Sequence, residues 1–325
     1  MEKEFKYSTE EFIVMYLSKY QILQQQELDF FIKNQNVFDE RNQCHIYFIL
    51  KRPRTTINLS YFTFTDHYFE IEINIQIQNS FTKRLLKIKN SDKSKRAKLI
   101  SEYPNNYFTI VIDNQDLFFK VGALLDIAQH TEAMEDPILD YEVLYIGQSY
   151  GDDGNRNATD RLLSHSTLQN IYNEAIIKNP DSEIWLMLSS FSQKNISSLN
   201  GRVKVKEENE DTDAKRFVNF VNMEFTEKQK INFTEAALIR TFQPKFNKDY
   251  KDNFPNPAHS SYSECYELDL NGIVVEMDMS DISRWLYSKD RPRGENNENL
   301  RYWQHGKFHF IDDNERYKMF NNEYL

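Results

Sequence analysis

The stretch from His67 to Ile77 restricts the fold of this chain more than any other part of the sequence. Along it, apolar residues alternate regularly with Glu, Asn and Gln, and the apolar positions are Phe69, Ile71, Ile73, Ile75 and Ile77. A period of two is typical of a β-strand that buries one face and exposes the other. The stretch therefore predicts a sheet with one face in the core and one face in water.

The residues before this strand predict a small α+β domain over residues 1–104. Ser8 and Glu11 have the spacing of a capping box, which indicates the start of a helix. Apolar residues follow at helical spacing, at Phe12, Ile13, Tyr16, Leu17 and Tyr20. Strand-like runs then occur at Cys44–Leu50 and Ile57–Phe64, so we expect one helix followed by several strands.

Residues 105–254 predict a second domain in which strands and helices alternate. Strands are expected at Tyr107–Asp113, Tyr141–Gly147 and Glu183–Ser189, and helices at about Thr159–Lys178 and around Glu235 up to Phe242. Leu117–His130 is expected to be a helix or an insertion, and the acidic run Glu207–Asp213 an exposed loop. The overall class that we predict is therefore α+β.

Residues 255–325 predict a small C-terminal region. Two apolar runs, Cys265–Leu270 and Ile273–Asp278, flank the pair Asn271-Gly272. Asn-Gly between two such runs is the usual sequence of a tight β-hairpin turn, so a hairpin is expected here. An aromatic-rich segment follows it.

The composition is that of a folded protein. Of the 325 residues 40% are hydrophobic, while Gly and Pro number 8 each, which argues against a disordered chain. The two cysteines, Cys44 and Cys265, have no metal-binding or disulfide-rich spacing, and we expect reduced thiols in a cytoplasmic protein. The charged N-terminal residues lack an apolar signal core, and no run approaches about 18 apolar residues, so no membrane partner is expected.

The net charge of −10 opposes nonspecific binding to a polyanion, so a nucleic-acid surface has to be local. The segment Lys83–Lys98 holds eight Lys or Arg residues and one acidic residue, Asp92. We expect a helix there, and two interpretations remain open, a solvated helix face and a surface that follows phosphates. The residues proposed to bind nucleic acid are Lys83, Arg84, Lys87, Lys95 and Arg96.

Charged residues also occur on two predicted apolar helix faces. Counting back from Leu168 at helical intervals leads to His165 and Arg161, and Glu235 begins the apolar stripe of the later helix. Charged groups are seldom buried unless they are paired, bind metal or line a cleft. A polar site that these residues share is therefore expected.

Each of these residues also has a structural interpretation. Glu235 lies three residues after Asn232 and could complete a capping box. His165 could be a structural histidine, Tyr145 could belong to the core, and Asn247 could mark a helix exit. None of the residues alone indicates a function.

The ordered set resembles the GIY-YIG nuclease superfamily, in particular its restriction-endonuclease branch. The resemblance rests on Tyr145-Ile146-Gly147, on Arg161 and His165 four residues apart, and on Glu235 followed about a dozen residues later by Asn247. It implies a central three-stranded antiparallel sheet flanked by helices, and metal-dependent hydrolysis of phosphodiesters.

The resemblance also implies a role for each residue. Glu235 would be the sole protein ligand of Mg²⁺ or Mn²⁺, and Arg161 would stabilise the charge on the phosphate. Tyr145 would position or deprotonate the attacking water, with His165 sharing the proton transfer. Asn247 would orient Glu235 or the phosphate.

One departure from the family pattern concerns the first strand, which ordinarily carries a GIY tyrosine. No GIY occurs here, and Tyr107 is the substitute that we predict, with residues 116–140 as an insertion. The favoured hypothesis is an endonuclease acting on DNA, with RNA as second candidate, in restriction or phage defence, and a homo-oligomer is left open. The alternative is a catalytically impaired module that binds nucleic acid or protein.

Overall fold

The computed structural model describes residues 4–34, 37–39, 43–90, 96–113, 115–128, 136–150, 162, 166–293, 302–310 and 315–317. Three candidate residues, Arg161, His165 and Lys95, lie outside these ranges. Within them the chain forms several sheets and six α-helices, so the predicted α+β class is confirmed.

The elements are numbered in chain order. The strands are β1 (Glu4–Phe5), β2 (Thr9–Leu23), β3 (Ile46–Pro53), β4 (Thr55–Phe64), β5 (Tyr68–Ile77), β6 (Ser80–Lys89), β7 (Ala97–Ile100), β8 (Tyr107–Ile112), β9 (Gln115–Lys120), β10 (Tyr141–Gln148), β11 (Ser182–Leu199), β12 (Lys204–Val205), β13 (Gly272–Asp278), β14 (Leu286–Tyr287) and β15 (Trp303–His309). The helices are α1 (Leu28–Asn34), α2 (Val121–Ala128), α3 (Ser166–Lys178), α4 (Glu210–Val221), α5 (Glu227–Phe242) and α6 (Ser263–Glu267).

A seven-stranded mixed sheet organises the fold, in the order β14-β10-β3-β11-β2-β13-β15. Its centre, β10-β3-β11-β2, is antiparallel throughout, while β14 and β13 add parallel to β10 and β2. The sheet is thus larger than the three-stranded sheet expected from the sequence. It also takes strands from all three predicted segments, so the boundaries after residues 104 and 254 separate strands that are hydrogen-bonded neighbours.

Helices cover both faces of this sheet. On one face, Ile46, Phe48 and Ile146 share a core with the apolar side of α5. On the other face, Tyr47 and Ile49 share a core with α1 and α3. Alternate residues of β3 thus enter different cores, as the pleat of a strand requires, while a register shift between Val143 and Tyr145 interrupts the alternation in β10.

Two smaller sheets, β4-β5-β6 and β7-β8-β9, lie in the chain between β3 and β10. They share one core with α2, and the expected alternation of β5 is confirmed, since Phe69, Ile71, Ile73 and Ile75 are buried. A buried ionic cluster joins this insertion to the central sheet. Asp126 accepts hydrogen bonds from Arg52 at 2.9 Å, Tyr141 at 2.8 Å and Arg284 at 3.1 Å.

The N-terminal helix prediction is wrong, because Thr9–Leu23 forms strand β2. This strand pairs with β11 on one side and β13 on the other, and Thr9 to Met15 are all buried. A strand buried on both faces has no period-two pattern. Its apolar residues therefore matched a helical spacing by coincidence.

Three further predictions are wrong for related reasons. Lys83–Lys98 contains the end of β6 and part of β7, where exposed residues alternate along a sheet edge. The acidic run Glu207–Asp213 opens helix α4, since acidic residues favour the positive end of a helix dipole. No hairpin forms at Asn271-Gly272, because residues 263–267 are helical and β13 pairs instead with β2 and β15.

None of the helices in the described ranges combines the length and the apolar character that crossing a bilayer needs. Both cysteines are buried and free. Burial raises the pKa of the Cys44 thiol to about 12, so this thiol stays protonated at neutral pH.

Candidate functional site

The strand that carries Tyr145-Ile146-Gly147 pairs antiparallel with the strand that begins at Ile46-Tyr47. In this register Tyr47 lies opposite Gly147. The rings of Tyr47 and Tyr145 are neighbours, with centroids 6.2 Å apart. Tyr47 is fully buried and Tyr145 half-buried. The structure thus places a second tyrosine beside the first, on the neighbouring strand.

Tyr47 was not among the residues predicted from the sequence, although the residues just before it carry a signal. His45-Ile46-Tyr47 differs from GIY only at its first residue. The 97 residues between Tyr47 and Tyr145, which include two complete sheets, hid the relationship. Strands so far apart in the sequence can be recognised as neighbours only from the hydrogen bonds between them in the structure.

Gly147 allows the two tyrosine rings to approach. A Cβ atom at this position would lie 2.5 Å from the Tyr47 hydroxyl and 2.7 Å from Cε1 of Tyr145. Both distances are far below ordinary van der Waals contact. The glycine of the YIG sequence is therefore required by packing.

Asn247 holds the other edge of β10. Its Nδ2 donates to the carbonyl oxygen of Ile146 at 2.7 Å, and the Ile146 amide donates to its Oδ1 at 2.9 Å. The amide of Phe246 also donates to the carbonyl of Leu144. Since β14 pairs with β10 only at Tyr141 and Glu142, these bonds satisfy an edge that has no strand partner among the residues the structure describes. This structural role of Asn247 was not expected from the sequence.

Hydrogen bonds attach the end of β10 to β3 and α5. The Gln148 side chain donates to Asn232 on α5 at 2.8 Å. The backbone amide of Ser149 donates to the carbonyl of His45 at 2.8 Å, and Nδ1 of His45 lies 2.6 Å from the Ser149 carbonyl oxygen. These contacts fix the start of β3 and the middle of α5 at the same end of β10.

Glu235 lies on α5, one helical turn after Asn232, and is only 9% exposed. The capping interpretation of Glu235 is wrong, because Thr226 is the N-cap and forms the capping box with Gln229. Burial, followed by the negative charge of Glu235, raises the pKa of Tyr250. A carboxylate buried in the middle of a helix is uncommon unless it is paired, binds a metal or lines a cleft.

The donor chemistry at Glu235 fits a hard divalent cation. Such cations bind carboxylate oxygens and keep several water ligands, so one carboxylate is sufficient. In the ranges that the structure describes, no group of three or more His, Cys, Asp or Glu residues could hold a metal ion.

Tyr107 does not lie in the predicted place. It is on β8, in the separate sheet β7-β8-β9, where its ring stacks on Phe118 with centroids 5.4 Å apart. The antiparallel partner of β10 is β3, so Tyr107 does not lie on a strand next to Tyr145-Ile146-Gly147. The run YFTIVID does form the predicted strand, but this strand belongs to a different sheet from the one expected.

The basic segment is partly neutralised. Lys83 pairs with Glu72 at 2.8 Å, and Nε of Arg84 donates to Asp136 at 2.6 Å. Lys87 lies over the ring of Tyr68 at 3.8 Å. Arg96 is exposed, while Lys95 lies outside the described residues. Two of the five proposed nucleic-acid ligands thus already have acidic partners.

The chain matches no protein-family model, no curated protein and no solved structure.

Proposed function

We propose that the protein is a metal-dependent endonuclease that hydrolyses phosphodiester bonds in DNA by GIY-YIG-type chemistry. The observation that carries the proposal is the antiparallel pairing of β3 with β10, which sets Tyr47 opposite Gly147. A GIY tyrosine is the one element of the family pattern that the sequence analysis could not find. Tyr47 takes this part in place of Tyr107.

Two further features support the proposal. The strands β10, β3 and β11 form three consecutive antiparallel neighbours, with α3 packed on one face and α5 on the other. Asn247 is bonded to the middle residue of Tyr145-Ile146-Gly147. Asn247 and the Tyr145-Ile146-Gly147 strand, which are about 100 positions apart in the chain, therefore meet.

In the proposed reaction the phenolate oxygen of Tyr47 or Tyr145 accepts a hydrogen bond from the attacking water and takes its proton, while the oxygen that leaves the phosphate takes a proton from solvent. The carboxylate of Glu235 would hold Mg²⁺ or Mn²⁺, which when bound would polarise a phosphate oxygen. Gly147 leaves room for both rings, and Asn247 holds the strand that carries Tyr145.

Plasmid cleavage tests the proposal. Purified protein incubated with supercoiled DNA and Mg²⁺ or Mn²⁺ should convert it to the nicked or linear form, and Glu235→Gln should abolish this conversion. Glu208→Gln, on an exposed residue of the same charge, should leave it unchanged. Absence of metal-dependent cleavage, or equal cleavage by Glu235→Gln, would refute the proposal in favour of a binding module.

A further inference from the structure

A polar cleft adjoins the candidate site. It lies between β11, the start of β3 and the helices α4 and α5, and we call it the α4–α5 cleft. Its volume is about 650 Å³, within the range of pockets that hold small organic ligands. Residues of each element line it, among them His45, Ser190, Phe191, Asn222, Lys230 and Thr234.

Thr234 is the group in this cleft whose hydrogen-bonding capacity is not used. Its side chain is fully buried, and within the described ranges its hydroxyl has no hydrogen-bond partner. A buried hydroxyl without a partner costs free energy, and native proteins seldom keep one. A ligand in the cleft could supply the missing partner.

The walls of the cleft are held in place by the protein itself. The Asn195 side chain donates to the carbonyls of Phe220 at 2.9 Å and Met223 at 2.8 Å, and Gln193 accepts from the amide of Phe225 at 3.0 Å. These bonds tie β11 to the loop between α4 and α5. The walls of the cleft are therefore held without a ligand, and contact with the fully buried Thr234 hydroxyl requires a local shift of the side chains that cover it.

The charges at the cleft favour a neutral occupant. Lys230 is already paired with Glu227 at 2.9 Å and with Glu224 at 3.3 Å. Two carboxylates thus face one ammonium group, which disfavours a phosphate inside the cleft. Hydroxyl and amide groups beside the aromatic ring of Phe191 suit a flat, uncharged ring with donors and acceptors at its edge.

Two residues that line the cleft are close in the chain to residues of the candidate site. Thr234 precedes Glu235 on α5, and His45 lies two residues before Tyr47. We propose that the α4–α5 cleft binds one unpaired base of the nucleic-acid substrate, next to the phosphate that is cleaved. This inference rests on the proposed nuclease function, and it specifies a substrate whose base is single-stranded or turned out of its duplex.

Binding to single-stranded oligonucleotides in EDTA, where no cleavage occurs, tests the inference. Fluorescein-labelled DNA and RNA strands are compared with versions in which each base in turn is replaced by an abasic site. We expect one position at which loss of the base weakens binding about tenfold, because it removes stacking and a hydrogen bond together. Thr234→Val should weaken binding of the intact strand and remove the effect of that position, and Thr234→Ser should restore both.

The results separate the two proposals. Equal effects at all positions, wild-type binding by Thr234→Val, or no binding of any strand would overturn the inference about the cleft. If plasmid is cleaved but no position stands out, the cleft proposal alone fails. If a Thr234-dependent position is found but no metal-dependent cleavage occurs, the nuclease proposal alone fails. Thermal melting of each variant checks that it is folded.

Discussion

The Asn247 side chain forms hydrogen bonds with both backbone groups of Ile146. It donates to the Ile146 carbonyl at 2.7 Å and accepts from the Ile146 amide at 2.9 Å. One carboxamide therefore replaces a missing strand at the edge of β10. Ile146 and Asn247 are both buried, so the Ile146 amide and carbonyl cannot form hydrogen bonds with water when the Asn247 side chain is removed.

We accordingly expect Asn247→Ala to lower the free energy of unfolding by about 2 to 4 kcal/mol, because two buried backbone groups lose their partner. Urea denaturation measures the change. Asn222→Ala is the matched control, since Asn222 is exposed and bonds within its own helix end. Equal stability of both variants would show that the Ile146 peptide does not depend on Asn247.

Gly147→Ala should destabilise the protein by roughly 1 to 3 kcal/mol, because the added Cβ overlaps two tyrosine rings in a packed core. It should also reduce cleavage, since Tyr47 and Tyr145 have to move apart. Gly201→Ala, where a Cβ meets nothing within 4 Å, should leave stability within about 0.5 kcal/mol of wild type. Thermal unfolding and plasmid cleavage by the two variants test this, and similar behaviour of both would contradict the packing at Gly147.

Tyr47→Phe should keep the fold and lower the cleavage rate by about 100-fold or more, the usual effect of losing a general base. Tyr107→Phe should cleave at the wild-type rate, because Tyr107 lies in the other sheet. Single-turnover rates with Mg²⁺ compare the two. Loss of activity in Tyr107→Phe with full activity in Tyr47→Phe would return the role to Tyr107.

Asp140 makes stability depend on pH. Burial raises its pKa from 3.8 to about 6, so the folded protein holds the proton more tightly than the unfolded chain. The stabilisation of the folded state by this proton, about 3 kcal/mol in total, is fully present below pH 4 and is lost as the pH rises through 6. Asp140→Asn, which can still accept from the Trp285 amide, should become more stable relative to wild type between pH 4 and 7. A difference independent of pH in urea titrations would exclude this linkage.

Thr234→Val should raise the free energy of unfolding by about 1 kcal/mol, because it replaces an unpartnered buried hydroxyl by a methyl group of similar size. Thr212→Val is the control, since the Thr212 hydroxyl is exposed and donates to the Asn209 carbonyl. Greater stability with weaker oligonucleotide binding is the combination expected of a residue kept for a ligand. A less stable Thr234→Val would show that the hydroxyl stabilises the fold.

The sequence identified β5, in which buried and exposed residues alternate most regularly. The alternation in β5 and the end of the strand at Tyr145-Ile146-Gly147 were both readable, as was the helix that buries Glu235. The failure at β2 has the opposite cause. Thr9 to Met15 are buried on both faces, and Phe12 to Tyr16 have a strand partner on each side, so the first half of this strand carries no local mark of a strand.

Local sequence thus determined that Tyr145 lies on a strand and that Glu235 lies on a helix which ends shortly before Asn247, because hydrophobic periodicity depends on near neighbours only. Only the tertiary structure decided that Tyr47 is the partner of Gly147, that Tyr107 belongs to a different sheet, and that Asn247 completes an open strand edge. Strand pairing joins residues about 100 positions apart through backbone hydrogen bonds. These bonds are chemically the same for every residue except proline and therefore leave no trace in the side-chain sequence.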